Sequence, residues 1–168
     1  MRITTKAYGE MEIDERQLVS FPAGLLGFEK FKRWALLDAK QKPFYYLQSL
    51  ELPELAFALI DPFLFRPDYS LDVADEVLAE VGIEGPDDAI VLAIVTAPAD
   101  GAPITANLMG PLIVAKNRRV GMQAVLADSR WHVKHDIMAE LAASKSGAAE
   151  PGNGAAGQSG GAASKSQA

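Results

Sequence analysis

Ala56-Phe57-Ala58-Leu59-Ile60-Asp61-Pro62-Phe63-Leu64-Phe65-Arg66-Pro67-Asp68-Tyr69 is the stretch on which the fold turns. Its first five residues are apolar on both alternating faces, with Phe57 and Leu59 on one and Ala58 and Ile60 on the other. A strand with that pattern is covered on both sides and lies deep in the fold. Asp61-Pro62 then stops the ladder, because proline brings no N–H and biases the residue before it to an extended shape. Phe63, Phe65 and Tyr69 follow as an aromatic cluster, with Pro67 as a second stop. The stretch therefore reads as a buried strand that opens, through a proline hinge, towards whatever comes next.

The elements on either side are short and extended. Arg2 to Asp14 alternates charged and apolar residues and reads as a hairpin about a three-residue loop, Ala7-Tyr8-Gly9, with Gly9 in the left-handed region. That loop pairs Lys6 with Glu10, Thr4 with Glu12 and Arg2 with Asp14. Gln17 to Phe21 is a short extended piece. The Gly24-x-x-Gly27 spacing after Pro22 matches a phosphate-clamping loop only weakly, and its apolar flanks Phe21, Leu25, Leu26 and Phe28 favour a buried turn. Glu29 to Lys32 is long enough for one helical turn. Arg33–Asp38, Phe44–Leu50 and the strand at 56–61 are spaced as an antiparallel meander. Ile90–Thr96 is a second continuous apolar strand, Ile104–Leu108 is extended, and Leu112–Ala115 with Met122–Leu126 forms a hairpin. One helix is expected, over 72–82, with Asp72 as N-cap and Gly82 as terminator; its outer face carries Asp75, Glu76 and Glu80. The expected fold is mainly β: a small antiparallel β-barrel of about eight short strands with one inserted acidic helix. The domain spans 1–143, and 144–168, rich in Gly, Ala and Ser, is expected to be disordered.

Composition narrows the function. The chain has no cysteine, which excludes thiolate metal sites and disulfides. The N-terminus lacks the apolar core of a signal peptide, and the longest nearly apolar run, 89–99, is about half of the ~20 residues of a membrane span, so a cytoplasmic protein is expected. The net charge is −6, and no lysine or arginine lies between Arg66 and Lys116. An uninterrupted acidic interval is the opposite of a nucleic-acid footprint; it reads either as a solvated surface or as a docking face for a basic protein. His132 and His135 stand three apart, and apart from Asp128 and Asp136 no nearby carboxylates complete a metal site around them. Asp128, Ser129 and His132 are the residue types of a catalytic triad without its geometry. Asp61 reads as a carboxylate that starts the Pro62 turn by a local hydrogen bond rather than as a general base. No metal, cofactor or catalytic group is assigned.

Four segments together carry a resemblance. They are Phe21-Pro22-x-Gly24-x-x-Gly27-Phe28; Pro43-Phe44-x-x-Leu47-Gln48-Ser49; Ala56-Phe57 through Asp61-Pro62-Phe63-x-Phe65-x-Pro67-Asp68-Tyr69; and Thr105-Ala106-Asn107-Leu108-x-x-Pro111. In this order, over about residues 2 to 135, they resemble the flagellar assembly factor FliW family. The resemblance implies a non-enzymatic β-barrel regulator that binds the RNA-binding translational repressor CsrA and also binds flagellin. It implies a partner switch: the free factor holds CsrA off the flagellin message, and accumulating flagellin displaces CsrA. Neither nucleic acid nor membrane is an expected direct partner. A nucleic-acid-binding small β-barrel is the alternative, and the acidic balance opposes it. Candidate partner-binding residues are Asp72, Asp75, Glu76 and Glu80 on the acidic helix, Phe65 and Tyr69 at the aromatic exit, and Tyr45, Gln48 and Asn107 in or beside the matched segments. Phe65 and Tyr69 either seal the end of the barrel or present it to a partner.

Overall fold

The computed structural model describes residues 1–149. The chain forms strands β1 (Arg2–Thr5), β2 (Gly9–Glu12), β3 (Leu18–Ser20), β4 (Arg33–Asp38), β5 (Tyr45–Ser49), β6 (Ala56–Ile60), β7 (Ala89–Thr96), β8 (Thr105–Ala106), β9 (Leu112–Ala115), β10 (Gly121–Gln123) and β11 (His135–Asp136). The described residues contain two α-helices, α1 (Asp75–Glu80) and α2 (Ile137–Ala149). The expected meander β4–β5–β6 is there, and β7 pairs antiparallel with β6. The main sheet runs β10-β9-β7-β6-β5-β4-β3, with β8 on β7 and β11 on β8; β1 and β2 form a separate two-stranded sheet.

The barrel is not closed by a ladder. The outermost strands β3 and β10 approach each other at one parallel bridge, Ser20–Val120, where the Ser20 N–H donates to the Arg119 carbonyl at 3.0 Å. Both strands are three residues long, and Phe21-Pro22 turns the chain away immediately after Ser20, so no second pairing follows. The sheet is a strongly curled open wall.

Cross-strand neighbours share a face, which divides the core in two. The inner face of the curl carries Trp34, Leu47, Leu59, Leu92, Leu112 and Val114, closed by Phe21 and Leu25. The outer face carries Ile60, Ala93, Val95 and Ile113, covered by Phe65, Tyr69, Ile83, Leu108 and Trp131 from the loops. β6 therefore contributes to both clusters, as its double apolar pattern requires.

The N-terminal hairpin covers the far end of the outer face, where Ile3 and Ile13 meet Ala35 and Leu37. Its register differs from the expected one by two residues: Arg2 faces Glu12, Thr4 faces Glu10 and Thr5 faces Gly9. A shift of two keeps every side chain on its face. The loop is Lys6-Ala7-Tyr8, and Gly9 does take the left-handed region at φ 68°. Two side chains set this register. The Thr5 hydroxyl donates to the Gly9 carbonyl at 2.8 Å and accepts from the Tyr8 N–H at 2.9 Å. The Lys6 N–H is drawn out of the ladder to Gln48 Oε1 at 2.8 Å.

The helix expected over 72–82 is confined to Asp75–Glu80, and Ala74, not Asp72, is its N-cap. Leu71 and Val73 are half-buried while Asp72 and Ala74 are exposed, an alternation that keeps 71–74 extended along the outer core. Gly82, at φ 89°, ends the helix as expected, and the Ile83 N–H closes back on the Leu78 carbonyl at 3.0 Å. Glu29 to Lys32 is turn and coil rather than a helical turn. α2 was not anticipated: its alanine-rich sequence has no strong apolar stripe, but Ile137 and Leu141 anchor its first turns in the outer core. It crosses the boundary drawn at 143, and residues 150–168 of the expected disordered tail lie outside the described residues.

Gln48 is 1% exposed. Its amide nitrogen lies within 3.3 Å of the carbonyls of Ser49, Pro53 and Leu55, while its oxygen holds Lys6. Gln48→Ala is expected to lower the unfolding free energy by about 2–3 kcal/mol, the cost of leaving buried backbone groups without partners. Urea denaturation measures the loss, and faster hydrogen exchange at the Lys6 amide would locate it in the hairpin.

Candidate functional site

β6 stops at Ile60, opposite Ala93, whereas β7 runs on through Leu92 to Ala89 on that side. The cause is local. Asp61 caps a 3-10 turn over Pro62–Leu64, its carboxylate accepting from the Phe63 N–H at 2.9 Å, so the chain leaves the sheet. This is the local role expected of Asp61. The departure leaves a cleft of about 1120 Å³ between the end of β6, the start of β7 and α1. Ile90, Leu92, Leu36 and Tyr45 line it from the inner side of the sheet. Val91, Ile113, Tyr69, Val73, Leu78 and Ile83 line it from the outer side, with Phe63 also at its wall. Among the described residues the charged members of this lining are all acidic: Asp61, Asp75 and Glu84.

The acidic residues of the expected docking face are all on the surface. Asp72, Asp75, Glu76 and Glu80 are exposed, and none makes an ion pair among the described residues. Asp75 belongs to both the helix face and the cleft. Tyr45 is half-buried at the cleft wall.

The other candidates have structural roles in the fold. Gln48 is the buried clip described above. Phe65 is 1% exposed and sits in the outer core, outside the cleft. Tyr69 is 4% exposed, and its hydroxyl donates to the Leu108 carbonyl at 2.7 Å. The aromatic exit thus seals the core, leaving Phe63 and Leu64 as its exposed members. Asn107 folds its own loop, with Oδ1 accepting from the N–H groups of Met109 and Gly110 at 3.0 and 2.9 Å.

Tyr69 belongs to a network that fixes the exit against the C-terminal elements. Its ring meets Trp131 edge-on at 4.8 Å, and the Arg66 and Arg130 guanidinium groups lie 4.7 and 4.9 Å from the Trp131 ring centre. Arg66 makes a bidentate pair with Asp68 at 2.9 and 2.8 Å and reaches Glu140 of α2 at 3.0 Å. Glu140 in turn contacts His135 Nδ1 at 2.8 Å, and His135 Nε2 accepts from the His132 N–H at 2.8 Å. Both ring nitrogens of His135 are therefore occupied. The Arg66 guanidinium holds the Asp68 carboxyl below the usual carboxylate range. Sequence reasoning did not identify Leu78, Ile83 and Val91 as cleft residues. Each reads as ordinary core, and no local signal shows that β7 outruns β6.

The same architecture occurs in known proteins. A sequence model of the family described as FliW protein matches residues 2–137. The chain belongs to the FliW family. It is 52% identical over 141 residues to the flagellar assembly factor FliW of Treponema denticola, covering 84% of this chain and 96% of that one. Its identity to the flagellar assembly factor FliW of Treponema pallidum is 51% over 142 residues, covering 84% and 95%. A crystal structure of the flagellar assembly factor FliW superposes with a TM-score of 0.75 at 35% identity, covering 82% of this chain and 96% of that one. The family match ends at the first residue of α2, so the Glu140 anchor lies beyond it.

Burial raises the Tyr69 hydroxyl above the ordinary tyrosine pKa of 10.0. Its neutral form is the one the fold stabilises, so this contribution is complete below pH 10 and is lost as the solution becomes more alkaline. Tyr69→Phe is expected to cost about 1–2 kcal/mol at neutral pH, because the Leu108 carbonyl loses its donor. The variant should also flatten the decline in stability above pH 10. Denaturation midpoints of both proteins across pH 8–11 check the two effects, 10.0 being the ordinary value about which the decline sets in.

Proposed function

We propose that this FliW-family chain is a flagellar assembly factor that works by binding proteins rather than by catalysis, with CsrA and flagellin as alternating partners. The observation that carries the reading is the unpaired acidic surface of α1 and of the segment leading into it. Asp72, Asp75, Glu76 and Glu80 are solvent-exposed without cationic partners among the described residues, in an interval that contains no lysine or arginine. A carboxylate face of this kind attracts a basic RNA-binding protein at long range and orients its encounter. Flagellin, whose terminal segments are apolar in kind, is assigned to the adjoining cleft, which is walled by aliphatic and aromatic side chains.

The two surfaces share Asp75 and the α1 segment. Occupation of the cleft then changes the electrostatic and steric state of the helix face, and the two partners reduce each other's affinity reciprocally. Free factor sequesters CsrA and permits flagellin synthesis. Factor loaded with flagellin releases CsrA, and translation falls. The expected setting is the cytoplasm, where both partners are made.

Charge reversal tests the acidic face. Asp75→Lys, Glu76→Lys and Glu80→Lys together should slow association with purified CsrA by about tenfold or more at low salt, and should flatten the dependence of the rate on ionic strength. Stopped-flow association at several salt concentrations measures both. An unchanged rate and salt slope would remove the acidic face from the mechanism. In a parallel pull-down, excess flagellin should deplete CsrA from the immobilised protein.

A further inference from the structure

The cleft has a property beyond its apolar walls: one side of it is an unpaired sheet edge. In an antiparallel ladder the backbone groups of successive residues point alternately to the two neighbouring strands. The Asn107 N–H donates to the Ile94 carbonyl at 2.9 Å, so Ile94 faces the β8 side. Leu92 and Ile90 share that orientation and face Leu112 and Val114 of β9. Val91, like Ala93 and Val95, must then direct its N–H and C=O to the β6 side. Continuing the β6 register would place Pro62 opposite Val91. Pro62 has no N–H, and its carbonyl is already taken by the Phe65 and Arg66 N–H groups at 3.3 and 2.9 Å. Strand pairing gives the Val91 N–H and C=O no partner on that side, and neither does any other hydrogen bond among the described residues.

We propose that the cleft receives an extended segment of a partner protein, which adds as a short strand to the free edge of β7 where β6 has turned away. The space dictates the chemistry of the segment. Its alternate side chains would fall on the two lined faces, one beside Ile90, Leu92 and Tyr45, the other beside Val91, Leu78 and Tyr69. Both faces are apolar, so the segment is a continuous apolar run, as β6 itself is. β7 extends four residues past Ala93, from Leu92 to Ala89, but the Ala89 N–H is already given to the Pro86 carbonyl, so the pairing is short and centred on Val91. The acidic rim of Asp61, Asp75 and Glu84, with no cation in the lining, selects lysine or arginine at the flanks of the segment. The same rim repels anionic lipid headgroups, and a hydrocarbon chain would leave the Val91 N–H and C=O unpaired.

Strand addition at the β7 edge does not rest on the assignment of flagellin to this cleft. Capture of CsrA or flagellin can fail while the edge binds its peptide, and the reverse. The probe is a fluorescein-labelled Lys-Val-Ile-Val-Ile-Lys peptide titrated into the full chain. Fluorescence anisotropy reads binding, and amide exchange by NMR reads the site.

Binding should slow exchange at the Val91 amide by about tenfold or more, the effect of one added backbone hydrogen bond. Methylating alternate backbone nitrogens of the peptide, which removes donors without altering side chains, should weaken binding by about tenfold. Replacing the flanking lysines by glutamate should weaken it by several-fold, as should Asp75→Lys with Glu84→Lys in the protein. Those two residues are exposed, so the double variant is expected to fold. The proposal is overturned if the methylated peptide equals its parent, if binding is undetectable at about 1 mM peptide, corresponding to about −4 kcal/mol, or if Val91 stays unprotected while other residues respond. Protection of Val91 in the peptide-free protein together with dimer formation in sedimentation would assign the edge to a second copy of this chain and would likewise overturn it.

Discussion

Pro62 cannot offer an N–H to β7, and much of the molecule is arranged around that missing donor. Up to Ile60, β6 is a central strand with both faces buried. At Asp61-Pro62 the ladder ends within one residue, while β7, under no such restriction, continues to Ala89. The mismatch opens the wall of the curled sheet beside β7. The chain released from the sheet is then used to cover the outer face, through Phe65, Tyr69 and the extended segment that leads into α1.

Releasing a strand beside the core would be unfavourable unless the departing segment were fixed elsewhere. Several interactions hold it. The Tyr69 hydroxyl anchors to the Leu108 carbonyl, Trp131 stands edge-on to the Tyr69 ring, and Arg66 joins Asp68 to Glu140 of α2. These contacts span four separate parts of the sequence. They make the cleft a pre-formed feature of the fold, since its walls are positioned by the core rather than by a partner. Pre-formation matters for a binding protein because less ordering entropy opposes association.

Charge and shape then divide the work. The acids of 72–88 stand outside the core and act at a distance, whereas the cleft acts at contact. Asp75 belongs to both regions. A carboxylate face on α1 thus stands next to an apolar slot. Each surface presents a chemistry that the other lacks.

Several of these features were legible in the sequence. The double apolar pattern of 56–60, the Asp61-Pro62 stop, the meander, the acidic interval and the four family segments all depend on local order, and local order survives without coordinates. The tertiary structure decided what depends on relative length and on distant partners. The hairpin shifted by two residues because Gln48, far along the chain, accepts the Lys6 N–H. Asp72 lost its capping role because Leu71 and Val73 are held in an extended alternation by the outer core. The barrel stayed open because β3 and β10 touch at a single bridge. Polar and aromatic side chains in loops and short strands, such as Gln48, Phe65, Tyr69 and Asn107, carry the same local signature whether they face a partner or the interior. Only burial separates the two cases, and burial is set by the whole chain. The cleft is the clearest instance: sequence determined where β6 stops, but that β7 runs on beside the gap is a matter of register between strands almost thirty residues apart, and register exists only in three dimensions.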